Sequence, residues 1–358
     1  MNADPATTNG DVLVSTAGMV GRIILNRPKA LNALTHGMVL TITEALSAWE
    51  TDDAVRTVVL TGAGERGLCA GGDIVSIYRS AKDGEGDAAS FWADEYRLNS
   101  YIARYPKPFV AIMDGIVLGG GIGISAHGSH RIVTERTKVG MPEVGIGFAP
   151  DVGGTLLMAR APGELGTHLA LTGGMASGAD AIEAGMADYF VEAATLQQLL
   201  TELEGESADA VIARHSTTAP ASPLAAARGW IDEAYAGSDA GEIVARLAAS
   251  PVEDARAAAS MILTKSPTSV SVALEAIRRV TPESTLEDVL NQEYRVGLRF
   301  LEGTEIVEGI RAQVIDKDRK PAWSPSSIDG VTRADIDHYF APLGERELGL
   351  TALDRSTT

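Results

Sequence analysis

Cysteine is nearly absent: Cys69 is the single one among 358 residues. One thiol excludes an internal disulfide and any all-cysteine metal site. Long apolar runs are missing too. No stretch reaches the roughly 18 consecutive apolar residues that a spanning helix needs, so no membrane partner is expected. Positive charge is scarce: 30 Lys and Arg stand against 48 Asp and Glu, a net charge of -18. That balance argues against nucleic acid or an anionic membrane surface as the main partner. It leaves room for a phosphorylated ligand, because a few local basic residues suffice. The opening MNADPATTNGDVLVS is polar and acidic, unlike a secretory or mitochondrial leader, and a cytoplasmic location is the expectation. His127 and His130 lack the spacing of a zinc pair with an intervening Glu, so no metal is expected.

What the chain does have is apolar residues, at 45%, and 38 glycines. That is enough for a large core and one or two domains. Val12 to Leu25 read as two short strands turning near Ala17 and Gly18. From Thr35 the apolar residues recur at helical spacing through Trp49. TVVLT at 57–61 reads as a buried strand, GAGERGLCAGGD at 62–73 as a glycine-rich loop, and FWADEYRLNSYIARY at 91–105 as a helix. Phe109 to Val117 is an apolar run that reads as one buried strand. Gly119, Gly120 and Gly121 follow it, then a small-residue segment expected to be helical and a short strand near 131–135. Strands, helices and short connections in alternation argue an α/β layered core. After Asp151 the pattern is mainly helical, with 215–224 as a candidate linker. The expected division is a core at 11–214 and a helical region at 215–340, with 1–10 and 341–358 flexible.

Strand, glycine turn and helix start around Gly120 expose backbone N–H groups at a positive helix end. Such a site suits an oxygen that becomes negative during a reaction. Glu143 and Asp151 follow eight residues apart in a Gly/Pro-rich loop, and a carboxylate there supplies a base or nucleophile. Other motifs are weaker. Gly62-x-Gly64-x-x-Gly67 matches the dinucleotide fingerprint, but Gly71 and Gly72 follow where a helix should open. Gly123-Ile-Ser125-Ala-His127 lacks the second glycine of a nucleophile elbow. Cys69 has no motif partner and reads as a spectator thiol.

GRIILNRPKALNAL at 21–34, CAGGDI at 69–74, MDGIVLGGG at 113–121 and MPEVGIGFAPDVGG at 141–154 together resemble the enoyl-CoA hydratase/isomerase, or crotonase, superfamily. Glu95-Tyr96-Arg97-Leu98-Asn99, the pair Glu143 and Asp151, and EGIRAQVIDKDRKPAWSP at 308–325 resemble its 3-hydroxyisobutyryl-CoA hydrolase branch. The resemblance implies an α/β fold with a crotonase-like ββα spiral core and a mainly helical C-terminal region. It implies that the N–H groups of Gly72 and Gly120 form an oxyanion hole, that Glu143 acts on the acyl group, and that Glu95 and Asp151 contact substrate. It also implies a thioester hydrolase that takes an acyl-CoA and needs no cofactor beyond the CoA its substrate carries. Gly123 departs from the hydratases, which have a second catalytic glutamate there; adding water across a double bond needs a paired acid and base. An enoyl-CoA isomerase or hydratase and a non-catalytic acyl-CoA binding protein are the alternatives. Arg27, Lys29, Arg79 and Lys82 are candidates for the CoA phosphates. A homo-oligomer is left open.

Overall fold

A computed structural model describes residues 7–352. The chain groups into two compact units. Unit 1 takes the chain up to Asp73, Arg97–Gly140 and Met175–Ala225; unit 2 takes Ile74–Tyr96, Met141–Gly174 and the chain from Ala226 onward. Among the described residues no helix is long and apolar enough to cross a membrane.

Unit 1 contains all the strands of the described residues. They are β1 (Thr7–Asn9), β2 (Val12–Ala17), β3 (Val20–Leu25), β4 (Thr57–Gly62), β5 (Gly67–Cys69), β6 (Phe109–Met113), β7 (Ile116–Leu118), β8 (His130–Val133), β9 (Lys138–Gly140), β10 (Met175–Ser177) and β11 (Tyr189–Phe190). A seven-stranded sheet runs β1-β2-β3-β4-β6-β8-β11, and a four-stranded sheet runs β10-β9-β7-β5. β2 and β3 are an antiparallel hairpin in which Val12 faces Leu25. From β3 to β11 the large sheet is parallel. Parallel strands are covered on both faces, which is why TVVL and FVAIM are apolar without alternation. On one face Val20, Val59, Val110, Ile112 and Ile132 pack with Leu199, Leu203, Val211 and Ile212. Each such side chain contributes about 1.5–3 kcal/mol by leaving water. On the other face lies the helix His36–Glu50, whose N-cap Thr35 accepts the Met38 N–H.

Phe109 to Val117 is not one strand. The chain turns at Gly115, where φ is +69°, and passes from β6 in the large sheet to β7 in the small one. The segment after the three glycines is helical only over Gly120–Gly123. β5 lies inside what the sequence presents as a loop, and a helix at Ile74–Asp83 follows it.

Unit 2 is helical. Its helix Leu286–Glu302 starts with a capping box between Thr285 and Asp288 and buries Val289, Leu290, Val296 and Phe300. The last passage between the units falls at Ala225–Ala226, next to the expected linker at 215–224. The division nevertheless differs from 11–214 and 215–340, because the segments 74–96 and 141–174 share a core with the C-terminal helices. Trp92 stacks on Phe148 at 5.1 Å, and Phe148 meets Phe300 at 5.6 Å. The expected flexible ends differ as well. Thr7–Asn9 pairs with β2, Leu343 and Leu348 are buried, and Asn291 exchanges hydrogen bonds of 2.7 and 2.9 Å with Leu350. The rest of the expected flexible ends, 1–6 and 353–358, lies outside the described residues.

Candidate active site

In unit 1 the two glycine loops lie side by side. A Cβ added at Gly71 would stand 3.6 Å from the Gly120 nitrogen and 3.3 Å from the Leu118 carbonyl oxygen, and Gly71 has φ of +97°. Only glycine takes that conformation without strain. Gly72 pairs with Leu34 in a parallel bridge, but the bonds are made by its neighbours. Leu34 N–H donates to the Gly71 carbonyl and Asp73 N–H to the Leu34 carbonyl, both at 2.8 Å. The Gly72 N–H therefore points to the opposite side. Gly119 is the N-cap of Gly120–Gly123, so the Gly120 N–H is one of the donors a helix start leaves unused. Two predicted donors thus sit on adjoining loops. Cys69, three residues before Gly72, is buried, and its sulfur accepts the Gly71 N–H at 3.4 Å.

In unit 2 four acids are buried together: Glu95, Glu143, Asp151 and Glu293 are 2, 7, 6 and 3% exposed. Glu95 comes from the helix Ala88–Ala103, Glu143 opens the 3-10 turn Glu143–Ile146, and Glu293 comes from Leu286–Glu302. Gly147 closes the 3-10 turn with φ of +73°, and Phe148 N–H returns to the Glu143 carbonyl at 3.0 Å. Past it, Val152 and Gly153 have φ of +54° and +79°. For β-branched Val152 the left-handed region costs about 1–2 kcal/mol. These reversals fold the loop back, so that Glu143 and Asp151 act on each other.

Burial raises all four acids, since a charge is poorly solvated there. Asp151 is pushed up to about 7, against burial's pull a hydrogen bond from the Tyr96 hydroxyl at 2.8 Å lowers it. Glu293 is pushed up to about 8 by burial and then by Asp151. Glu143 lies well above the usual range through burial, then Asp151 and Glu293; Glu95 does so through burial, then Asp151 and Glu143. Glu95 Oε1 and Glu143 Oε2 have no hydrogen-bond partner among the described residues. Carboxyl groups raised above their usual range, two of them with open oxygens, are suited to take, give or direct a proton.

The other candidates have structural places. Gly67 opens β5, not a helix, so Gly62-x-Gly64-x-x-Gly67 is no dinucleotide turn. Ser125 Oγ donates back to the Gly121 carbonyl at 2.6 Å. His130 sits between Ser129 Oγ at 2.9 Å and Asp209 at 3.1 Å. Arg27 is tied to Asp73 at 3.1 Å and to Asp11 at 3.7 Å. Lys29, Arg79 and Lys82 are exposed, Lys82 over the Tyr78 ring at 5.2 Å. A cavity of about 340 Å³ in unit 1, walled by Val20, Ile24, Val59, Ile112 and Leu196 with Arg22 and Asp114, contains none of the predicted site residues.

Sequence reasoning missed Glu293, Tyr96 as the partner of Asp151, and Asn99. Asn99 is fully buried, and neither polar atom of its side chain has a hydrogen-bond partner among the described residues. The available signal was the repeat of Glu-Tyr-Arg at 95–97 and 293–295. Tyr96 and Tyr294 meet edge to face at 6.2 Å.

The family model described as enoyl-CoA hydratase/isomerase matches residues 20–340. A protein of Xenopus laevis named 3-hydroxyisobutyryl-CoA hydrolase, mitochondrial, is 38% identical over 353 residues, 96% of this chain and 91% of its own. A structure named carnitinyl-CoA dehydratase, from Mycobacterium thermoresistibile, is 55% identical with a TM-score of 0.92, covering 95% of this chain and 98% of its own. An enoyl-CoA hydratase structure from Rhodobacter sphaeroides is 41% identical with a TM-score of 0.90, covering 95% of this chain and 100% of its own. The α/β architecture with a helical C-terminal region is common to this fold.

Proposed function

The chain belongs to the enoyl-CoA hydratase/isomerase family, and we propose that within it this protein hydrolyses the thioester of 3-hydroxyisobutyryl-CoA to 3-hydroxyisobutyrate and free CoA, as in valine breakdown. One observation supports the reading most: the buried acid set with an unpartnered Glu143 oxygen, in a chain that places Gly123 where a hydratase needs its second glutamate. In this reading the Gly72 and Gly120 N–H groups receive the thioester oxygen as it becomes negative, each worth roughly 3–4 kcal/mol in the transition state. Glu143 acts on the acyl carbon, either by direct attack through a mixed anhydride or by drawing a proton from water. Asp151 accepts the substrate's 3-hydroxyl and Glu95 lines the acyl group. No cofactor is needed, because CoA arrives with the substrate. A cytoplasmic location goes with the reading, and cell fractionation tests it against the mitochondrial location in the relative's name.

A second reading has its own support. More than one carboxyl near neutrality could serve as an acid and base pair, and the 55% identical structure bears a dehydratase's name. The test is incubation with 3-hydroxyisobutyryl-CoA, following free thiol with a thiol reagent and the conjugated enoyl thioester by its ultraviolet absorbance. Thiol release without enoyl formation is expected. Enoyl formation without thiol would give the dehydratase reading the site, and silence in both channels would leave an acyl-CoA binding protein.

A further inference from the structure

We propose that Glu293 is a positioning residue that holds the turn carrying Asp151. Its carboxylate is buried, and both oxygens are aimed at one place in the chain. Oε2 accepts the Gly153 N–H at 2.6 Å and Oε1 accepts the Thr155 N–H at 2.9 Å. Those donors belong to the start of the helix Gly154–Arg160, whose N-cap is Gly153. A glycine has no side chain with which to cap, so the open N–H groups need an acceptor from elsewhere. Glu293 provides it from 140 positions along the chain. The same turn closes on Asp151, whose carbonyl takes the Gly154 N–H at 2.7 Å. Val152, strained at φ of +54°, lies between Asp151 and the clamp. Without the clamp the turn loses two of the hydrogen bonds that offset the strain, and the backbone that aims Asp151 at Tyr96 slackens.

The clamp also carries charge. Tyr96 faces it from one helix, Glu143 and Asp151 from the loop, Glu95 stands beside Tyr96 and Asp151, and Tyr294 stands on its own helix. None of these groups is a cation. The two N–H bonds favour a charged Glu293, burial and Asp151 oppose it, and Glu293 in turn opposes the ionisation of Glu143. A residue that only capped a helix would carry stability and leave the titration of Glu143 alone.

The kinetic readout of this proposal rests on the thioesterase reading, so the test includes one that does not. Protein labelled with ¹³C at glutamate carboxyls is titrated by NMR, with the Glu143 signal assigned through Glu143→Gln. In Glu293→Gln the Glu143 midpoint is expected to fall by about one pH unit, the scale of a neighbouring like charge; in Glu293→Asp it stays near wild type. The acid limb of kcat/KM should move the same way. Both variants should lose more activity on 3-hydroxyisobutyryl-CoA than on isobutyryl-CoA, because the aim of Asp151 is what slackens. A folded Glu293→Gln with an unmoved midpoint and equal losses on both esters overturns the proposal. Should melting curves show that Glu293→Gln does not fold, Glu293→Asp decides: the shortened reach must lower the preference for the hydroxylated ester, and an unchanged preference overturns the clamp. A wild type that releases no thiol sinks the thioesterase reading, while the NMR titration still judges the clamp.

Discussion

Unit 2 holds two acid-rich places that behave in opposite ways. Around Arg311, the carboxylates of Glu308, Asp316 and Asp318 lie 2.8, 2.7 and 2.7 Å from one guanidinium. Glu308 and Asp318 are held below their usual values, first of all by the hydrogen bond from Arg311. Glu95, Glu143, Asp151 and Glu293 have no such cation among the described residues, and all four are raised, first of all by burial. Three acids stand in one place and four in the other; what separates them is the dielectric and the counter-charge. A paired acid at the surface stays ionised and inert. A buried, unpaired acid stores a proton near neutral pH, which is what proton-transfer chemistry requires.

The largest effect expected from breaking this contrast is on stability. Asp151 rises from 3.8 unfolded to about 7 folded. The native state therefore binds the extra proton, and the stability it contributes is complete below pH 3.8 and lost as pH climbs to about 7. Three units at 1.36 kcal/mol each put an upper bound of about 4 kcal/mol on that loss. Denaturant melts of wild type and Asp151→Asn across this window should diverge, with the variant holding its stability better as pH rises. Parallel curves would remove Asp151 from the raised set.

Next in size is Glu143→Gln, which keeps the shape and removes the charge. Turnover should drop about 100-fold or more, the usual worth of a general base, while calorimetry still finds binding of the CoA ester. A variant keeping more than about a tenth of wild-type turnover would take Glu143 out of the mechanism.

Asp151→Asn comes third and reads by substrate. A site that hydrogen-bonds a hydroxyl leaves a buried polar group unpaired when the hydroxyl is missing, a penalty of about 1–3 kcal/mol. The loss in kcat/KM should thus be greater for 3-hydroxyisobutyryl-CoA than for isobutyryl-CoA. Equal losses would assign Asp151 to the chemistry and not to recognition.

The smallest effect belongs to the other place. Arg311→Gln removes the cation that serves two exposed acids and the half-buried Glu308, and such surface pairs contribute little and are screened by salt. Activity should be unchanged, and the small fall in melting temperature should fade as salt is added. A large loss of turnover would show that the Arg311 cluster is more than surface.

Much of unit 1 was legible because its signals are local. The hairpin at Val12–Leu25, the strand that starts at Thr57 and the helix that starts after Thr35 each follow from adjacent residues. The break at Gly115 was not legible, since FVAIM and IV are equally apolar and only the partner sheets distinguish them. Glu143 and Asp151 could be named from their motif. Glu293 had only the Glu-Tyr-Arg repeat to mark it, because its partners at Gly153 and Thr155 lie far away in the chain and a glutamate on an amphipathic helix reads as solvated.

The sequence by itself determined the family, the glycine loops and the residue types that chemistry would need, because motif, spacing and composition are properties of neighbouring positions. The tertiary structure decided which acids share a proton-storing environment and which are neutralised. For the buried set that choice depends on burial by segments distant in sequence, whereas the cation of the other set, Arg311, lies three to seven residues from its acids. Glu308 has its cation three residues on, a local signal, whereas nothing in the local sequence of Glu143 shows that it is buried. Packing leaves the first without a hydrogen-bond partner for Oε2 and the second beside a guanidinium.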